Sequence, residues 1–247
     1  MATLAHIWRY PIKSHGREAL DRVDLTAGQT MPWDRTWAVA HEAAKIDGKA
    51  WAPCNSFSIV SKAPLLMAMT ATLNEDTETV TLRHPSLPDL TISPDSDGPK
   101  LIEWARPLMP KDRAASARVV RVPGRGMTDT NFPSISIGNI GSHRAFEQEM
   151  GRDLSIQRWR CNIWLDGLAP WEEFDLIGKS LRIGGAEFII RERTRRCMAT
   201  TTNPETGFRD ADTLKVLNES YGHQDFCVYA EVTKSGEIAN GDKSEVL

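Results

Sequence analysis

Short apolar and β-branched runs, broken by turn-forming residues, dominate the first half of the chain. Leu4 to Tyr10, Arg22 to Leu25, Thr36 to His41 and Val80 to Leu82 read as strands, punctuated by Gly28, Asp47-Gly48 and Pro85. Many short strands at this spacing predict a barrel or sandwich. Asp47-Gly48 carries the strongest hairpin signal, because glycine accepts the positive φ of a tight turn. Leu101, Ile102, Ala105 and Leu108 fall at helical spacing, which predicts a short amphipathic helix over 99–108 that stops before Pro110. A strand over 118–122 follows. Pro123 to Met127 then reads as a linker, since Gly124 and Gly126 join the proline in interrupting any regular element.

The second half opens with a brief strand over 134–137 and a helix over 142–150, with Ser142 as the expected N-cap. Ser155 to Leu165 reads as a strand and Leu181 to Ile190 as a hairpin about Gly184-Gly185. Asp212 to Tyr221 reads as a helix ending at Gly222 and Phe226 to Val232 as a late strand, while Gly241-Asp242 predicts a last turn. No repeat or low-complexity segment interrupts this order. The fold class expected is mixed α+β and β-rich, with a few short helices, divided into segments 1–122 and 123–247.

Composition narrows the function. A chain of 247 residues, 40% hydrophobic and 26% charged, can bury a sizeable core. A net charge of -3 supplies no overall basic field, so nucleic acid is not the expected partner. No apolar run approaches the roughly 18 residues needed to cross a bilayer, and Met1 to Trp8 lacks the pattern of a signal peptide. A cytoplasmic location without membrane attachment is therefore expected. Cys54, Cys161, Cys197 and Cys227 form no CxxC or CxxH pair, so neither a zinc knuckle nor an iron-sulfur cluster is encoded and any metal takes few protein ligands.

Cys197 is the candidate reactive thiol. It follows Arg191, Arg193, Arg195 and Arg196, and nearby guanidinium charges favour the thiolate, the form that attacks or binds metal. The same run also fits an inert packed cysteine beside a solvated basic strand.

Five ordered pieces carry a resemblance: Tyr10 to Ser14, Asp34 to Trp37, Arg158 to Asn162, Arg196-Cys197 through Asn203-Pro204 to Gly207, and Val228-Tyr229 leading to Gly236 and Gly241-Asp242. Together they resemble the MOSC family with its N-terminal β-barrel partner domain, over nearly the whole chain. Within that family the chain is most similar to the mitochondrial amidoxime reducing component and its bacterial relatives. The resemblance implies a MOSC N-terminal β-barrel-like domain over 1–122 and a MOSC domain over 123–247 that binds the molybdenum cofactor.

It further implies that Cys197 is the thiolate ligand of molybdenum held by the dithiolene of a pyranopterin, a chemistry in which one protein ligand suffices. Lys13 and Ser14 match the family's pair at the cofactor phosphate, Arg35 its phosphate-pairing arginine, and Arg160 and Asn162 its Arg-x-Asn element; Arg196 is assigned to the cofactor with them. Ser134 or Ser136 supplies a further hydroxyl, with Ser136 the residue assigned. Two positions depart from the pattern: Arg195 stands where close relatives have serine, and Cys161 stands where proline is usual. The first bears on the polar surroundings of the metal and on the substrate. The second is read as a packed thiol.

The activity implied is a molybdenum-dependent reductase that removes oxygen from small N-hydroxylated substrates. Its electrons are expected from a separate ferredoxin, flavoprotein or cytochrome. A sulfur carrier or a cofactor sulfuration and delivery protein acting through Cys197 is the alternative, and a cofactor-free anion-binding module the third. Among the aromatic residues, Trp33 and Trp51 are the candidate pocket walls, while His6, His41 and His223 are expected to be packed or on the surface rather than metal ligands.

Overall fold

The computed structural model describes residues 1–247. The first half contributes β1 (Ala2–Arg9), β2 (Glu18–Leu20), β3 (Arg22–Leu25), β4 (Trp37–His41), β5 (Thr70–Asn74), β6 (Thr79–His84), β7 (Leu87–Ile92), helix α1 (Gly98–Ala105) and β8 (Ser116–Arg121). The second contributes β9 (Ile135–Asn139), α2 (Ile140–Met150), β10 (Ile163–Asp166), β11 (Ser180–Ile183), β12 (Ala186–Arg195), α3 (Thr213–Tyr221), β13 (Asp225–Lys234), β14 (Gly236–Ala239) and β15 (Lys243–Val246).

A closed barrel of seven strands organises the second half, in the order β10-β9-β13-β12-β11-β15-β1, with β10 pairing back onto β1. Period-two alternation fills it. Along β12, Ala186, Phe188 and Ile190 are buried and join Leu4, Ile7, Ile137, Ile163, Leu165 and Val228 in the largest core cluster. The first strand of the chain thus completes a barrel otherwise built after residue 132, and β3 pairs with β14. Strands from both halves therefore share sheets, which ties the halves together through backbone hydrogen bonds.

The rest of the first half forms a smaller β unit. β4 pairs with β8, and β5, β6 and β7 make an antiparallel sheet around Trp37, Val39, Leu73, Val80 and Leu82, with Leu101 of α1 closing it. On the barrel's outer side α2 and α3 pack over Trp159 and Phe226, whose rings stack with centroids 3.8 Å apart.

Four local expectations differ from the structure. Asp47-Gly48 makes a turn, in which Asp47 Oδ1 accepts from the Lys49 N–H, but no hairpin, because β4 pairs with the distant β8. The segment 155–165 is no continuous strand: Ile156–Trp159 is a 3-10 turn, Arg160 sits at φ 52°, and β10 begins only at Ile163. The N-cap of α2 is Asn139, whose side chain accepts from Gly141 N–H, while Ser142 is fully buried one turn in and donates to Glu173.

The fourth is the expected linker, which is pinned. Gly126 N–H donates to Thr30 Oγ1, Met127 N–H donates to Arg35 O, and Met127 is fully buried. Gly126 lies so close to Asp34 that an added Cβ would meet its carbonyl oxygen at 2.1 Å, so only glycine fits beside the Arg35 loop.

Candidate functional site

One cleft runs between the smaller β unit and the mouth of the barrel, and the eight residues assigned from the sequence all border it: Lys13, Ser14, Arg35, Ser136, Arg160, Asn162, Arg196 and Cys197. They arrive from separate elements. Lys13 and Ser14 follow β1, Arg35 precedes β4, Ser136 lies in β9, Arg160 and Asn162 precede β10, and Cys197 follows β12.

Three of these residues hold positive φ without being glycine: Ser14 (65°), Arg35 (53°) and Arg160 (52°). Each such conformation costs on the order of 1 kcal/mol or more and persists only where surrounding contacts enforce it. Here the chain reversals turn three polar side chains toward one space.

At one end of the cleft the Lys13 ammonium donates to Met127 O (2.7 Å) and pairs with Asp129, so the pinned 123–127 segment is part of the site. The Asp129 side chain is half-exposed, and the desolvation that opposes its charge is outweighed by Lys13 and Arg35, which hold its carboxyl below the usual range. Arg35 pairs with buried Asp34, donates to Arg160 O (3.2 Å), and lies over the Tyr10 ring. Arg160 lies over the same ring from 4.3 Å, and neither of its terminal nitrogens has a hydrogen-bond partner. Burial first, then repulsion from Arg35 and Arg17, pushes its pKa down to about 10, so it stays charged at neutral pH. A buried guanidinium with two unpaired nitrogens in a cleft is a built site for an anion.

Asn162 and Arg196 face inward. Asn162 Oδ1 accepts from Ser136 N–H (3.2 Å), Ser136 Oγ (2.9 Å) and Arg35 (3.4 Å), and its Nδ2 donates to Trp8 O (3.2 Å). Its amide is spent on joining β1, β9 and the Arg35 loop. Arg196 donates to Phe226 O, Trp159 O and the Cys161 sulfur, at 2.7, 2.8 and 3.2 Å. It is a strut for the turn that carries Arg160. Burial opposes a thiolate at Cys161, yet its contact with Cys227 and the Arg196 charge bring its pKa below the usual thiol range; both cysteines are wholly enclosed, as packed thiols should be.

Of the four arginines before Cys197, Arg191 and Arg193 do not reach it. Strand alternation places Arg191 and Arg193 on the exposed face, where they pair with Glu231 and Asp225 across β13. The Cys197 thiol itself is exposed at the cleft, and the next residues, Met198–Thr201, form a 3-10 turn. Irregular pairing of β12 with β13 between Arg193 and Arg195 re-aims the strand end toward the cleft.

Several neighbours escaped the sequence reading. Cys54, Asp129, Arg158, Trp159, Thr194 and Tyr229 all border the cleft. Arg158, Trp159 and Tyr229 carried a signal, by lying within matched segments. Trp33 and Trp51 are not walls of the cleft: Trp33 stacks on Trp37, and Trp51 donates to Thr128 O (2.8 Å). No group of three or more His, Cys, Asp or Glu side chains is arranged to hold a metal. No helix is long and apolar enough to cross a membrane.

His15, 1% exposed, shares its Nδ1–H with Lys13 O at 2.8 Å and is held neutral by burial, which lowers its pKa from 6.5 to about 4. Between those values the unfolded chain binds a proton that the native chain does not, so stability falls as pH drops through that window, by up to about 3 kcal/mol. Urea unfolding at pH 7 and pH 4.5 should show this loss, and a His15→Gln variant should show a flatter profile.

Residues 1–115 match the MOSC N-terminal beta barrel domain and residues 132–245 the MOSC domain. The molybdenum cofactor sulfurase of Drosophila melanogaster is 33% identical over 92 residues, covering 37% of this chain and 12% of that protein. That of Drosophila grimshawi is 30% identical over 135 residues, covering 51% of this chain and 17% of that protein, so the matches span only a small part of either relative. The YUAD protein from Bacillus subtilis shares the fold, with a TM-score of 0.50 at 14% identity over 100% of this chain and 96% of that one. With the two domains matched in order and spanning nearly all of its length, the chain belongs to the MOSC family, in the form in which a MOSC N-terminal beta barrel domain precedes the MOSC domain.

Proposed function

We propose that this protein is a molybdenum cofactor-dependent reductase that removes oxygen from small N-hydroxylated compounds. The observation that carries the reading is the meeting, in one cleft, of an exposed Cys197 thiol with Lys13, Ser14 and the unpaired guanidinium of Arg160. These residues fit a pyranopterin: a soft thiolate for the metal and cationic donors for a phosphate-bearing ligand. When bound, the group would supply the two-electron chemistry that breaks an N–O bond.

The chain's own residues then bind and orient. Cys197 would hold the metal. Lys13 and Ser14 would hold the phosphate, with Asp129 fixing the lysine, and Arg160 would donate through the nitrogens now without partners. Arg35, Asn162 and Ser136 keep these groups in place through the hydrogen bonds they make among themselves. Two electrons per turnover would come from a separate donor, a ferredoxin, flavoprotein or cytochrome, and two protons from solvent, the oxygen leaving as water.

Metal and pterin analysis of the purified protein, followed by an assay with a reduced dye, tests the reading. About one molybdenum and one pterin per chain are expected, with reduction of benzamidoxime or hydroxylaminopurine by dye alone. Metal-free protein carrying a labile persulfide on Cys197 would point instead to sulfur transfer. Loaded protein inert toward N-hydroxylated compounds would leave the cofactor and remove the substrate class.

A further inference from the structure

The Cys197 end of the cleft holds a second set of donors that the cofactor residues do not use. Arg158 is 2% exposed, yet only its Nη2 is bonded, to Asp210 Oδ1 at 2.6 Å; Nε and Nη1 have no partner. Asp210 cannot neutralise this arginine alone, because it also binds Arg152 (3.2 Å) and Asn203 (2.9 Å). Thr194, likewise 2% exposed, has an unpartnered hydroxyl. Arg195 borders the same cleft with a single 3.4 Å contact to the neutral amide of Gln224, and no carboxylate pairs with it.

Chain connectivity puts these groups beside the thiol. Thr194 and Arg195 precede Cys197 by three and two residues, and the turn carrying Arg158 packs on the turn that follows Cys197. Leaving buried guanidinium nitrogens unpaired carries an uncompensated desolvation cost, which is removed when an anion supplies the acceptors. Arg160, the other unpaired guanidinium, leans on Tyr10 beside Arg35.

We propose that Arg158, Thr194 and Arg195 form an oxyanion subsite that selects substrates carrying a carboxylate or phosphate, seated next to the group that reacts at Cys197. The buried arginine and threonine give directed hydrogen bonds, and Arg195 at the rim adds charge that draws the anion in. The substrate class is narrowed by this to acidic N-hydroxylated compounds, an inference that rests on the reductase reading.

Calorimetric binding without reductant, so that nothing turns over, tests the subsite apart from the reaction. 4-Carboxybenzamidoxime is expected to bind the full-length protein about tenfold more tightly than benzamidoxime, and Arg195→Ser or Arg158→Lys should bring the two affinities level. Arg195 is exposed, so its variant keeps the fold even if the Arg158 variant does not. Inorganic phosphate competing with the carboxylated compound would extend the subsite to phosphorylated substrates, and failure to compete would limit it to carboxylates. Equal affinity of the wild-type protein for the acid and neutral compounds, or no binding of the acid, overturns the subsite. Selective acid binding in a protein that reduces neither compound keeps the subsite and overturns the reductase.

Discussion

Replacing Cys197 by alanine is expected to strip molybdenum from the purified protein while leaving its fold intact. The side chain is exposed and its thiol takes part in no hydrogen bond of the fold, so the stability change should stay within about 0.5 kcal/mol. On the proposed reading the metal, by contrast, loses its one protein ligand. Loss of even an outer-shell partner lowers metal affinity about 10–100-fold, so loss of the ligand should bring molybdenum content below about a tenth of the wild-type value. Metal analysis beside urea unfolding checks both halves. Full molybdenum occupancy in the variant would remove Cys197 from the metal's coordination and with it the reading of the cleft.

Asn162→Leu should have the opposite profile, a large loss of stability with loss of cofactor as its consequence. The amide is 1% exposed and bonds to Trp8 in β1, Ser136 in β9 and Arg35. An apolar side chain leaves at least the Trp8 carbonyl and the Ser136 donors without partners inside the protein, at about 1–3 kcal/mol each. A loss of about 2–5 kcal/mol follows, which for a protein stable by about 5–15 kcal/mol is a substantial share. The urea midpoint should drop, and molybdenum content should fall with it as the Arg35 loop loosens. An unchanged midpoint would mean that the amide serves the ligand alone.

Those two profiles separate a residue that touches a ligand from one that positions others, a distinction that residue type does not carry. Asparagine and arginine at the matched positions suggest donors for a cofactor. The structure turns the donors of Asn162 and Arg196 onto backbone carbonyls and a neighbouring thiol, has the Asn162 oxygen accept from Ser136, and leaves free nitrogens on Arg160 and Arg158. Which hydrogen-bonding groups remain unpaired depends on what the rest of the chain brings beside them, and no local pattern encodes that.

Much of the β framework was legible, because burial on one face imposes period-two alternation and glycine marks its turns. β3, β4, β8 and the β11–β12 hairpin fall close to their expected places, as does α3 with its end at Gly222. The misreadings share one cause. The 155–165 segment is as apolar as a strand, but Arg160 is forced to positive φ where it enters the cleft, and Gly126 is kept by close packing against Asp34 rather than by flexibility.

By itself the sequence determined that this protein is β-rich, that turns fall where glycine and proline permit them, and that Cys197 lies within an ordered set of polar motifs. Those follow from side-chain period and backbone stereochemistry, which act over a few residues. Only the tertiary structure decided that β1 closes the barrel of the second half, that Arg191 and Arg193 turn away from the thiol, and that Arg158, Thr194 and Arg195 gather beside it. These depend on contacts between residues far apart in the chain, where the alternation of strands and the satisfaction of buried polar groups are settled together.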